Sequence, residues 1–130
     1  MSDARFTAVT VPGQLTDIPY SPAVVAGGMV YVAGQIAMTP DGTLLGDDIR
    51  SQTRAVFASM AGVLEAAGAS LRDVVMVNTH LVSAADFDGF NEVYAEVFSP
   101  PYPARATVLS GLLAAGCLIE STAVAVKPGA

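Results

Sequence analysis

Histidine and cysteine occur once each in this chain, as His80 and Cys117, and tryptophan does not occur at all. A lone cysteine excludes an intrachain disulfide, and MSDARFTAV lacks the basic and apolar regions of an export signal. The expected compartment is therefore the reducing cytoplasm. A His/Cys metal cluster needs more ligands than the chain owns, so no metal is expected. A Ser-His-Asp triad would have to use His80, which sits mid-strand in VNTHLV, where a packed or edge-facing histidine is the simpler reading. Cys117 reads as a small buried hydrophobe rather than a nucleophile. Gly27-Gly28 and Gly34 fit neither a phosphate-cradling P-loop nor the dinucleotide fingerprint, and no cofactor is expected.

Positive charge is also scarce. Lys and Arg number 6 against 12 Asp and Glu, a net charge of −6. Arg5, Arg50, Arg54, Arg72, Arg105 and Lys127 are scattered, with no basic run or aromatic–basic platform. Binding to nucleic acid depends on clustered cations that neutralise phosphates, so no nucleic-acid partner is expected. A continuous membrane-spanning run is missing too. The charge-free stretch from Ile18 to Pro40 is long enough, but Pro19, Pro22, Pro40, Gly27, Gly28 and Gly34 break it into loop, strand and turn.

What the chain does have is apolar surface in excess. Apolar residues make up 52% of it, and its mean hydropathy is +0.52. A length of 130 residues supports one domain, which by itself buries a modest share of its surface. With a membrane set aside, the surplus implies that the chain packs against copies of itself.

Local patterns give an α+β domain spanning 1–130. A first strand is expected at Arg5–Val9, then strand at Val24–Val25 and Met29–Ala33 around a tight Gly27-Gly28 turn. Thr39-Pro40-Asp41-Gly42 is a turn. Asp47 or Asp48 caps a helix from about Ile49 to Ala67, closed by Gly68. Its stripe of Ile49, Val56, Phe57, Met60, Val63, Leu64 and Ala67 recurs at helical spacing. Ser70–Asp73 reads as a capped turn before the strand Val74–Val82, which is apolar on both faces and so expected to be covered on both. Ser83–Asp86 has capping-box form. A second helix follows to Phe98, burying Phe87, Phe90, Tyr94 and Val97, and Pro100, Pro101 and Pro103 stop it. Strands at about Ala104–Ser110 and Leu118–Val126 end the chain. The order β-β-α-β-α-β-β gives a mixed sheet with two helices on one face. The other face needs a cover the chain does not contain.

Two residues stand out chemically. Arg105 opens a strand after a proline-rich loop and is followed by a long apolar stretch, VLSGLLAAGCLI. A guanidinium near buried surface needs an anion, and its planar fork suits a carboxylate. That anion is either a small carboxylate-bearing ligand or Glu120, the acid that interrupts Leu118-Ile119-Glu120-Ser121-Thr122. Glu120 is itself either functional or solvent-facing on an edge. Tyr20 and Asn91, taken alone, read as a turn residue and a helix-surface amide.

The same residues carry a family likeness. Pro19-Tyr20-Ser21-Pro22-Ala23, Val32-Ala33-Gly34-Gln35-Ile36, Gln52-Thr53, Leu64–Ala69, Phe90-Asn91-Glu92-Val93-Tyr94, Pro103-Ala104-Arg105 and Ile119-Glu120 follow one another as in the RidA (YjgF) family of imine deaminases. The chain resembles that family from about Tyr20 to Val126. The resemblance implies a chorismate-mutase-like subunit in a homotrimer, with sheets around a central barrel and sites in clefts between subunits. It implies cofactor-free hydrolysis of 2-imino or enamine carboxylic acids to 2-oxo acids and ammonia. Under it Arg105 clamps the carboxylate and Glu120 manages water and the proton. Tyr20, Asn91 and Thr107 line the cleft, and backbone near Gly34 helps hold the substrate. Ala33 stands where many members have Ser, Ala37 where Pro is common, and Leu112–Gly116 lacks the usual Leu-Pro-Lys turn. Alternatives are a deaminase for one aminomuconate or aminoacrylate intermediate, a non-catalytic trimer that binds carboxylate metabolites, and a ribonuclease, which the acidic balance disfavours.

Overall fold

Gly27 and Gly28 adopt φ of 58° and 76°, left-handed values that a side chain would resist, so the chain reverses within two residues. The computed structural model describes residues 5–129. The reversal joins β2 (Ala23–Ala26) to β3 (Met29–Ile36), paired with Ala26 opposite Met29. Before them lies β1 (Thr7–Val9), within the expected first strand Arg5–Val9; the expected order β-β-α-β-α-β-β is one strand short ahead of the first helix. After α1 (Ile49–Ala66) come β4 (Val74–Leu81), α2 (Phe87–Val97), β5 (Ala104–Leu109) and β6 (Ile119–Val126). They form one sheet in the order β1-β2-β3-β6-β4-β5. Every pairing is antiparallel except β4 with β5, which α2 connects as a crossover.

β3 extends past its expected end at Ala33 because a bulge between Val32 and Gln35 lets pairing with β6 resume. Three steps on β3 match two on β6, so one extra residue is accommodated there.

Asp48 caps α1: its carboxylate accepts from the Ser51 N–H at 2.8 Å and from the Ser51 hydroxyl at 2.6 Å. Those bonds, the hydroxyl first, hold the Asp48 carboxyl below its ordinary value. Gly68, at φ 84°, ends the helix. The whole expected stripe is buried, and so are two polar residues, Gln52 and Thr53. Gln52 donates to the carbonyls of Gly46 (3.1 Å) and Gly116 (2.9 Å) and accepts from the Leu118 N–H (2.7 Å). It thereby ties the helix to the loop before it and to the entry of β6.

The start of α2 corrects an expectation. Ser83 and Asp86 do not form a capping box. Instead Ser83 accepts from the Ala85 N–H at 3.2 Å and opens a 3-10 turn, Ala84–Asp86. That turn delays the helix to Phe87, and Asp86 makes no side-chain cap bond. Helical phase then leaves Phe87 42% exposed and Val97 half-buried, while Phe90, Val93 and Tyr94 are buried. Tyr94 and Phe98 sit 5.8 and 5.3 Å edge-on to Phe57, joining α2 to α1.

Both helices cover one face of the sheet, where Val30, Val32, Val77, Leu81, Ile119, Ala123 and Ala125 meet the α1 stripe. The other face is open. Tyr31, Met76, His80, Val82, Val108 and Val126 are exposed on strands or strand ends. β4 was expected to be covered on both sides; within one chain only one side is, because the helices reach one face. Among the described residues no helix is long and apolar enough to cross a membrane.

Candidate functional site

The register of β5 decides where Arg105 points. It lies opposite Val77, which is fully buried under the helices, so its side chain leaves the sheet toward α2. There the guanidinium carbon lies 5.8 Å from the Phe87 ring centre, 5.4 Å from Phe90 and 4.8 Å from Tyr94. Phe87, Phe90 and Tyr94 recur at helical spacing and form an aromatic floor that attracts a cation through its π-faces. One Nη2–H donates to Asn91 Oδ1 at 2.6 Å. The ion pairs among the described residues are Arg50–Glu92 and Arg54–Glu96, and neither involves Arg105. A cavity of about 430 Å³ beside α1 is lined by Glu65 and Arg72 with small and aliphatic residues, whereas one of about 310 Å³ is lined by Asn91, Tyr94, Ala95, Tyr102, Pro103 and Arg105. Two buried hydroxyls close by, Tyr94 Oη and Thr107 Oγ1, have no hydrogen-bond partner. Burial pushes the Tyr94 hydroxyl up from its ordinary value, against the pull of Arg105. A guanidinium set beside three aromatic rings and bonded at one corner, with donors to spare, has the charge and shape to suit a planar anion.

Glu120 lies on the opposite side of the sheet. It faces His80 on β4 and Ile36 on β3 in register, and His80 is exposed on the open face. Its carboxylate rests against Gly34, where an added Cβ would land on Oε2. A groove of about 590 Å³ leads from it, between the 11–22 segment and the 38–42 turn. Tyr20, Ile18, Met38, Gln35 and Ser59 are among its walls.

The six expected site residues thus fall into two groups. Arg105, Asn91 and Thr107 sit on the helix side at the edge strand β5, and Thr107 is half-buried. Tyr20, Gly34 and Glu120 sit at the groove. β4 lies between β5 and β6, so Arg105 and Glu120 are about 10 Å apart across the sheet, three residues apart along it, and on different faces. An Arg105–Glu120 ion pair within one chain, one of the two readings open from sequence, does not form.

The exclusions can be placed as well. His80 Nδ1 lies 3.0 Å from the Ser110 hydroxyl on the open face, and no carboxylate bonds to the ring. Cys117 is buried, and burial raises its thiol, which keeps it in the unreactive protonated form. Among the described residues no three of His, Cys, Asp and Glu converge. Sequence reading assigned Phe87 and Tyr94 to the core; the signal for their second role was an aromatic stripe followed closely by a lone arginine. Ser59 gave no signal and Gln35 only as part of the Val32–Ile36 likeness, since their pairing depends on the bulge that brings them together.

Residues 14–127 match the family described as Endoribonuclease L-PSP. A RutC family protein of Pyrococcus horikoshii is 44% identical over 84% of this chain and 87% of its own length. A protein of the mite Dermatophagoides farinae, named 2-iminobutanoate/2-iminopropanoate deaminase, is 42% identical over 69% of this chain and 71% of its own. Among solved structures, RidA from an Antarctic Psychrobacter superposes with a TM-score of 0.83 at 34% identity, covering 92% of this chain and 98% of that one.

Proposed function

We propose an activity for a chain that belongs to the endoribonuclease L-PSP family, the YjgF/RidA family: cofactor-free hydrolysis of 2-imino and enamine carboxylic acids to 2-oxo acids and ammonia. The observation that carries this reading is the split of the site. One face offers Arg105, the other Glu120; among the described residues neither has an ion-pair partner, and the second face lacks a cover. Docking copies in a closed ring of three would bring the Arg105 group of one chain to the Glu120 group of the next and cover the open face. The names of the mite deaminase and of the Psychrobacter RidA agree with it.

The chemistry asks little of the protein. Arg105 holds the substrate carboxylate by its free N–H donors, with Asn91 and the aromatic rings fixing the guanidinium. Thr107 and Tyr20 line the cleft. Glu120 orients a water beside the imine carbon and takes its proton as the C–O bond forms. The same proton passes to nitrogen, the C–N bond breaks as the C=O forms, and the hydroxyl proton goes to Glu120 and from it to the departing ammonia, which leaves as ammonium. Holding water and imine together supplies much of the acceleration, because the protonated imine is already electrophilic. The alternative of an RNA-cleaving activity has the net charge of −6 against it. The cytoplasm is the compartment this reading assigns.

The test is ammonia release from 2-iminobutanoate generated in situ by an amino-acid oxidase, with light scattering on the same sample. Ammonia above the uncatalysed rate and a mass of three chains are expected, and RNA added to the preparation is expected to stay intact. A stable monomer, or RNA loss that tracks the pure protein, would overturn the reading. Gly34→Ala gives a local check. Its Cβ would displace the Glu120 carboxylate, so turnover is expected to fall at least about tenfold, since small misplacements of reacting groups are costly. Gly34 is not held at a left-handed φ, so its melting temperature is expected to change little. Unaltered turnover would remove Glu120 from the mechanism.

A further inference from the structure

The place of the Glu120 carboxylate is set by a short relay that begins on α1. At the β3 bulge the backbone leaves its ladder with β6. The Ala33 carbonyl accepts from Gln35's own side chain, Nε2 to oxygen at 2.9 Å. Its N–H reaches out to the Pro22 carbonyl at 2.9 Å. The other end of the Gln35 amide is held in turn: the Ser59 hydroxyl donates to Gln35 Oε1 at 2.6 Å. Gln35 is only 9% exposed, and its amide has both ends engaged. The bulge is therefore pinned at one end by the N-terminal loop and at the other by a helix.

Gly34 lies between those two pins, and the Glu120 carboxylate rests on it with no space for even a methyl group. A shift of the Gly34 backbone would move that carboxylate. We infer that Gln35 and Ser59 are positioning residues for Glu120, acting through the Ala33-Gly34 bulge rather than by touching substrate. Ser59 is the informative member. It is exposed to the groove on a helix, so losing its hydroxyl leaves the packing of α1 intact, and alanine is the better helix former.

This inference rests on the deaminase reading above, and the experiment separates the two. Ammonia release is measured for the unaltered protein, Ser59→Ala, Ser59→Thr and Gln35→Glu, together with melting temperature and the affinity of an unreactive 2-oxo acid. If the unaltered protein releases no ammonia, the deaminase reading itself fails. If it does, Ser59→Ala is expected to lose kcat by about tenfold, as a sub-ångström displacement of a reacting group does. Its melting temperature and 2-oxo acid affinity are expected to hold, because Arg105 is untouched. Ser59→Thr keeps a hydroxyl at the same place and is expected to restore turnover. Gln35→Glu has no amide N–H for the Ala33 carbonyl and is expected to behave like Ser59→Ala or worse. A purely structural role would lower the melting temperature and leave kcat per folded trimer unchanged. That outcome, or turnover in Ser59→Ala equal to the unaltered protein, overturns the proposal.

Discussion

Arg105→Lys is expected to lose most of kcat/KM, about 2–4 kcal/mol of transition-state binding, the scale for a charged hydrogen-bonding group in a partly desolvated cleft. An ammonium is a point charge. It cannot sit against Phe90 and Tyr94, bond to Asn91 and present a planar fork at once. The variant is also expected to bind unreactive 2-oxo acids more weakly. Glu120→Gln keeps the shape over Gly34 but not the proton-handling group, so turnover should fall while 2-oxo acid affinity holds. Arg105 and Glu120 leave the sheet from different faces, so the two variants should not share a stability defect. A common fall in melting temperature with unchanged turnover would refute both roles. The split also permits a mixing test. When Arg105→Ala and Glu120→Gln chains assemble together at random, about a quarter of the clefts receive both native groups from different chains. Activity should therefore reappear on mixing two nearly inactive proteins. If it does not, the two groups do not meet across a subunit boundary.

The second large effect falls on stability. Gln52→Leu is expected to cost on the order of 2–4 kcal/mol, because it leaves two carbonyls and one N–H without a partner in the interior. The groups are those of Gly46, Gly116 and Leu118. Leucine has nearly the right volume, so the loss reports the hydrogen bonds rather than a cavity. Thermal unfolding checks it; a melting temperature within about 2 °C of the unaltered protein would show the three groups had found water.

Gln52 also marks where sequence reading stopped. The α1 stripe was legible because helical periodicity is a short-range signal, and all of its apolar members are buried. A buried glutamine that bonds three backbone groups, two of them more than sixty residues away, leaves no local trace. The same division holds at the site. Arg105 and Glu120 were singled out by their surroundings, a charge amid apolar residues. Their separation by a strand and a face depends on the order β3-β6-β4-β5, which pairs the last strand into the middle of the sheet. Neither spacing nor composition encodes that insertion. The start of α2 was misplaced for a smaller reason. Ser83 and Asp86 have the chemistry of a cap, and the backbone used it for a 3-10 turn instead.

β5 ends the sheet, with Val108 and Leu109 among its exposed residues, the latter 60% exposed. From Ala106 to Ile119 the chain carries no charged residue. A terminal strand of this kind leaves a row of backbone donors and acceptors open, and past Arg105 it has no charge to discourage the wrong neighbour. A newly made chain is therefore exposed to misassociation at that edge. The gatekeeping that other proteins spread along an edge strand as charge rests here on Arg105 alone, near its start.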